Sequence, residues 1–209
     1  MATKNEGDTW AERVAAQVGG QVKRLRERDE WPISAQTLAD LTAELGHEVK
    51  RSVIANLESG RRGTVTVADV LVLAEALRVP PAMLVFPLGA ESAVEALPDR
   101  QVETWEAAQW WNGERPPLVG ANQRRGPQDD AESEAYATLA SYRRHSQYLG
   151  ELRTIRRWMA DHVSTADGVE RYKLMLAATS AELGDLRRDM TRRGLVLPKN
   201  DEGGGNGEG

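Results

Sequence analysis

The chain contains no cysteine, which excludes disulfides, thiolate zinc sites and a cysteine nucleophile. It has no apolar run near the ~20 residues that a membrane-spanning helix requires. Its first residues, Met1-Ala2-Thr3-Lys4-Asn5-Glu6-Gly7-Asp8, lack the apolar centre of a secretory signal. A cytoplasmic location is the expectation. A phosphate-cradling glycine loop is missing too, since Gly203-Gly204-Gly205 is followed by no helix. His47, His145 and His162 are dispersed and show no metal-ligand spacing, so they are expected at surface or interface positions. No catalytic constellation emerges; the expectation is a non-enzyme without metal or cofactor.

What is present suits a soluble protein of two parts: 209 residues, 40% hydrophobic and 28% charged. The net charge of −5 runs against nucleic-acid binding, which favours a basic balance. Location matters more than the sum. Lys50, Arg51, Arg61 and Arg62 face only Glu58 between residues 50 and 62, a local charge of +3. Screening over ~8–10 Å isolates such a patch from acidic surface elsewhere.

Val14, Val18, Val22 and Leu25 recur at helical spacing, predicting a first helix over about 11–28 with a weak point at Gly19-Gly20. Trp31-Pro32 forces a turn. Ser34 can cap a second helix from Ala35 to about Leu45, stopped by Gly46. A third is predicted over about 50–58, stopped by Gly60. Thr66 and Asp69 have capping-box spacing before a fourth over 67–77. Pro80-Pro81 opens a short fifth helix with Met83, Leu84 and Phe86 as core.

In the third helix Ser52 and Asn56 share a face, with Arg51 beside them, while Val53, Ile54 and Leu57 lie largely opposite. Arginine can bond bidentately to guanine, asparagine to adenine, and serine to base or phosphate. Each residue alone is ordinary solvated surface; together, before Gly60-Arg61-Arg62, they point to DNA. The run from Leu38-Ala39-Asp40 through Val53-Ile54-Ala55-Asn56-Leu57-Glu58-Ser59-Gly60-Arg61-Arg62 resembles the helix-turn-helix of the Cro- and lambda-repressor-like (XRE-type) family. The resemblance implies that Arg51, Ser52 and Asn56 read bases, and that Lys50, Arg61 and Arg62 hold phosphates. It implies a structural role for Glu58, positioning the Arg61-Arg62 loop or neighbouring backbone. The stretch from Ala39 to Ile54 is longer than in the commonest family pattern, resembling a subgroup of high-GC bacteria and their phages. Some family repressors carry a strand-built, self-cleaving serine–lysine domain; the helical pattern downstream argues against one here.

Residues 91–130 read as a joint broken by prolines and glycines, with one short helix over about 102–111 and no strand. Trp105, Trp110 and Trp111 are expected to form a satellite core, the sharper alternative being a partner patch. Two long helices are predicted over about 131–162 and 169–193. In the second, Val169, Tyr172, Leu176, Thr179, Leu183, Leu186 and Met190 follow heptad steps. Leu149, Leu152, Ile155, Met159 and Val163 form a comparable stripe in the first, so an antiparallel hairpin is expected. The seam from Tyr172 to Met190 is available for self-association. The paired arginines Arg143-Arg144, Arg156-Arg157, Arg187-Arg188 and Arg192-Arg193 are expected outward.

The expectation is thus an all-α protein. Residues 10–90 form a five-helix DNA-binding domain and 131–197 a helical hairpin for oligomerisation or sensing, with 1–9 and 198–209 disordered. Double-stranded DNA is the expected partner and a homodimer the expected state, in a transcriptional regulator of host or phage that more often represses. The alternative is an antitoxin or adaptor whose C-terminal helices bind a protein partner.

Overall fold

A computed structural model describes residues 9–28, 30, 32–115, 118, 127–162 and 166–198, side chains of 127–133, 162 and 166 excepted. The expected disorder of 1–8 and 199–209, the turn at Trp31, and Val163 in the apolar stripe lie outside the described residues. Contacts divide the chain into two units, Met1–Leu118 and Val119–Gly209.

In the first unit α1 (Trp10–Arg26), α2 (Ala35–Glu44), α3 (Arg51–Glu58), α4 (Val67–Leu77) and α5 (Ala82–Val85) follow the predicted order. Thr9, expected in a disordered tail, is instead the N-cap of α1. Its hydroxyl accepts from Glu12 N while Glu12 returns the bond to Thr9 N, satisfying two otherwise orphaned donors. Ser34 and Thr66 cap α2 and α4 as the sequence suggests, Thr66 in a reciprocal box with Asp69. The core joins Val18, Val22 and Leu25 of α1 to Leu38, Ile54, Leu57, Leu73, Leu77 and Leu84.

The long α2–α3 turn is built on one buried threonine. Thr42 donates its hydroxyl to Ala39 O at 2.8 Å and accepts from Val49 N at 2.9 Å, while His47 N bonds Thr42 O at 3.2 Å. Val49 is thereby drawn into the core at 2% exposure. The extra residues fold back on α2 instead of lengthening it.

Gly19-Gly20 is not a weak point. α1 runs through both without a break, and Gly19 is where α1 crosses α3. A Cβ there would lie 2.6 Å from the Leu57 carbonyl carbon and closer still to its oxygen, whereas one on Gly20 meets nothing. Glycine is required here for close approach.

Past α5 the expectation of no strand fails. β1 (Ala93–Leu97) and β2 (Arg100–Glu103) form an antiparallel hairpin, with Val94 opposite Val102 and an irregularity between Glu95 and Leu97. Its turn uses Pro98 and Asp99, the latter in the left-handed region at φ 57°. Arg13 of α1 grips Glu95 by two bonds of 2.7 Å, joining the hairpin to the helical core. Then α6 (Thr104–Trp111) follows. Small residues make its core: Ala107 and Ala108 pack with Ala82, Phe86 and Val94. The tryptophans contribute less than expected: Trp110 is half-buried, while Trp105 is 57% and Trp111 49% exposed, Trp111 meeting Phe86 edge-on at 5.8 Å. Alanines permit the close packing of α6 beneath them.

In the second unit α7 (Pro127–His162) packs along α8 (Ala166–Arg192). The core is thin: Leu152, Ile155, Leu183 and Met190, with Ser141 and His145. Tyr172, Leu176, Thr179 and Leu186 are half-buried. Two arginines expected outward turn inward. Arg193 donates to Glu134, Thr138 and Ser141 of α7, and Arg187 donates to His145 Nε2 at 2.8 Å.

His145 is fully buried between helices of its own chain, not on an outer surface. Accepting from Arg187 at Nε2 places its proton on Nδ1, which has no hydrogen-bond partner. Burial, then the Arg187 charge, depress its pKa. Below about pH 6.5 the unfolded imidazole therefore takes up a proton that the folded one resists. Helical-hairpin stability should fall as pH drops from 7.5 to 5.5, above the ordinary carboxylate range. Hydrogen exchange of α7 and α8 in the full chain would report it, and His145→Asn should flatten the dependence. An equal slope in the variant would assign the titration elsewhere.

Candidate nucleic-acid interface

α3 has only eight residues, and their arrangement is strongly two-sided. Ile54 and Leu57 are fully buried and Val53 is partly so, with α3 packed against α1 and α2. Arg51, Ser52, Ala55, Asn56 and Ser59 form one exposed face. The structure thus brings the three residues singled out as base readers onto one surface and adds Ala55 and Ser59. Their small side chains gave no chemical signal, although the helical period places them there. Ala55 could meet a thymine methyl, and Ser59 carries a hydroxyl.

Lys50 lies one position outside the helix, as the N-cap, and is exposed; no side chain caps this end. The first amides of α3 consequently retain their donor capacity. At the other end Gly60 adopts φ 71°, and the chain turns back so that Arg61 N and Arg62 N both donate to Asn56 O, at 2.9 and 3.1 Å. One residue therefore presents its amide side chain outward while its carbonyl anchors the following loop.

The two loop arginines differ. Arg61 is exposed. Arg62 is half-buried, its Nη2 donating to Asp69 Oδ2 at 3.0 Å, and its Nη1 is buried without a hydrogen-bond partner. Asp69 also accepts from Thr66 N at 3.2 Å and lies 3.3 Å from His47 Nε2. Burial opposes ionisation of Asp69, but the bonds with Thr66 and His47 and the Arg62 charge outweigh it, holding the carboxyl below its usual range.

Glu58 is turned away from the exposed face. It makes a bidentate pair with Arg26 of α1, 2.8 Å at Nε and 2.9 Å at Nη2, both side chains being about one-tenth exposed. That bond raises the Arg26 pKa further. Arg26 also donates to Ile33 O at 2.8 Å, so one guanidinium joins α1, the α1–α2 connection and the end of α3. With Glu58 neutralised, the exposed charges between residues 50 and 61 are Lys50, Arg51 and Arg61.

Residues 17–85, about a third of the chain, match a family model described as a helix-turn-helix domain. Searches of curated proteins and of solved structures return no match. Among the described residues no helix is long and apolar enough to cross a membrane, and no group of three or more acidic or histidine side chains is placed to hold a metal ion.

Proposed function

We propose that the chain is a sequence-specific DNA-binding regulator of transcription, acting as a repressor. The observation that carries this reading is the two-sided α3: an apolar side locked in the core, with Arg51, Ser52 and Asn56 side by side on the other. A helix so mounted in a helix-turn-helix domain enters the major groove with its polar side against base edges. Arg51 suits guanine, Asn56 adenine, and Ser52 either base or phosphate. Lys50 and Arg61 supply phosphate contacts, which set affinity and register without reading sequence.

A single module reads few base pairs, so the working form is a homodimer on two half-sites about one turn, ~34 Å, apart. The second unit supplies the pairing surface. Tyr172, Leu176, Thr179 and Leu186 keep part of their area accessible along α8, and so thin a core gains from a second copy.

Selection of bound sites from random duplexes tests the proposal. The full chain should enrich one motif, arranged as an inverted repeat. On that motif and on random duplex alike, Arg61→Ala should lower the slope of log K against log salt by ~1 for each protomer bound, hence ~2 for the dimer. A chain that enriches no sequence is not a regulator of this kind.

A further inference from the structure

We infer that Asp69 is a positioning clamp for the reading helix, and that Arg62 serves this clamp instead of holding phosphate. The inference rests on the DNA-binding reading above and deepens it.

α3 is short, its N-terminus has no side-chain cap, and the loops on both sides leave it at once. Its orientation is set by the buried Ile54 and Leu57, by the Glu58–Arg26 pair, and by what holds those loops. One carboxylate, 6% exposed, reaches both. Through His47 it touches the turn preceding α3, and through Arg62 the loop following it. Through Thr66 N it also fixes the first turn of α4, which packs with α3 on α1 and α2. The Arg61-Arg62 loop is then held twice, by backbone bonds to Asn56 O and by the Arg62–Asp69 pair. Between those anchors Arg61 is presented outward.

Arg62 is poorly placed for a second phosphate. Its Nη2 is engaged by Asp69 and its Nη1 is closed off from solvent. A phosphate that drew the guanidinium off Asp69 would leave a buried carboxylate with one partner fewer. An arginine used in this way contributes geometry, not counterion release.

Asp69→Asn makes the test sharp, because simple electrostatics and positioning predict opposite signs. Removing an anion near DNA should tighten binding by Coulomb attraction alone. Loss of the clamp should weaken binding to the selected motif, by about tenfold for one charge-assisted bond, and random duplex by much less. Full-length wild type, Asp69→Asn, Arg62→Ala and Arg61→Ala would be titrated with both duplexes at several salt concentrations. The temperature is one at which circular dichroism shows all four folded. Arg62→Ala should match Asp69→Asn in lost selectivity and keep the wild-type salt slope, while Arg61→Ala loses ~1 from it for each protomer bound. The double variant should be no worse than either single one, since both remove the same contact.

Arg62→Ala losing the same slope as Arg61→Ala would make Arg62 a phosphate contact and overturn the inference. So would tighter or unchanged binding of the motif by Asp69→Asn, even with a lower melting temperature. Should Arg62→Ala fail to fold, the sign for Asp69→Asn still decides. A wild-type chain that prefers no duplex brings down the DNA-binding reading itself, and these outcomes are distinct.

Discussion

Gly19→Ala is expected to destabilise the N-terminal unit by about 3 kcal/mol, although alanine is the better helix former by ~1 kcal/mol. The added methyl meets the Leu57 carbonyl, backbone at the end of α3, and no rotamer change can relieve it. Either α1 moves off α3 or the last turn of α3 opens. Both separate Val18 and Val22 from Ile54 and Leu57, the centre of the core. For a domain of this size ~3 kcal/mol lowers the melting temperature by on the order of 15 °C. The neighbouring Gly20→Ala is the internal control. Its Cβ would meet nothing, so helix propensity alone acts and a gain of ~0.5–1 kcal/mol is expected. Thermal melts of both variants check the pair. Equal melting of Gly19→Ala and wild type would mean that α1 and α3 do not approach at this glycine.

The second large effect is expected at the Arg26–Glu58 pair. Glu58→Ala leaves a guanidinium about one-tenth exposed with its main anion gone, at a cost of about 3 kcal/mol. Glu27, which also bonds Arg26 but is half-exposed, replaces little of that loss. The converse holds for Arg26→Ala, which also frees the Ile33 carbonyl. Taking both charges away with apolar residues of similar size, Arg26→Met with Glu58→Leu, should recover most of the stability, because desolvation then has no charge to penalise. Urea unfolding of wild type, Arg26→Met, Glu58→Leu and the double variant closes the cycle and gives the coupling directly. Additive losses would show that the pair does not act as a unit.

The helices and caps of the first unit were legible because they depend on nearby residues. Ser34, Thr66 with Asp69, and the stops at Gly46 and Gly60 act within a turn of their helices. The exposed face of α3 was legible for the same reason: the period that buries Ile54 and Leu57 forces Ser52 and Asn56 outward. What escaped depends on partners distant in sequence. Glu58 gives no local sign that its partner is Arg26, and Arg62 none that its side chain ends on Asp69. His145 reads as an ordinary polar residue until α8 brings Arg187 against it. Gly19 looked like a helix defect because only the approach of Leu57 shows its use. The β1–β2 hairpin was missed for a compositional reason. Ala93-Val94-Glu95-Ala96-Leu97 has little β-branched content and no clean alternation, and its turn carries no Asn-Gly or Asp-Gly signal. The tryptophans misled by size: buried alanines settle how α6 docks.

The central claim is that the exposed side of α3 reads bases, and Asn56 is the residue through which it is tested most directly. Asn56→Ala leaves the backbone carbonyl that anchors the Arg61-Arg62 loop in place and removes only the outward amide. Competition between the selected motif and random duplex, at fixed salt, is the measurement. The expected result is a loss of ~1–3 kcal/mol per half-site on the motif and almost none on random duplex, with specificity relaxed at one position in each half-site. An equal loss on both duplexes would contradict it, because Asn56 would then supply general affinity and the reading surface would lie elsewhere.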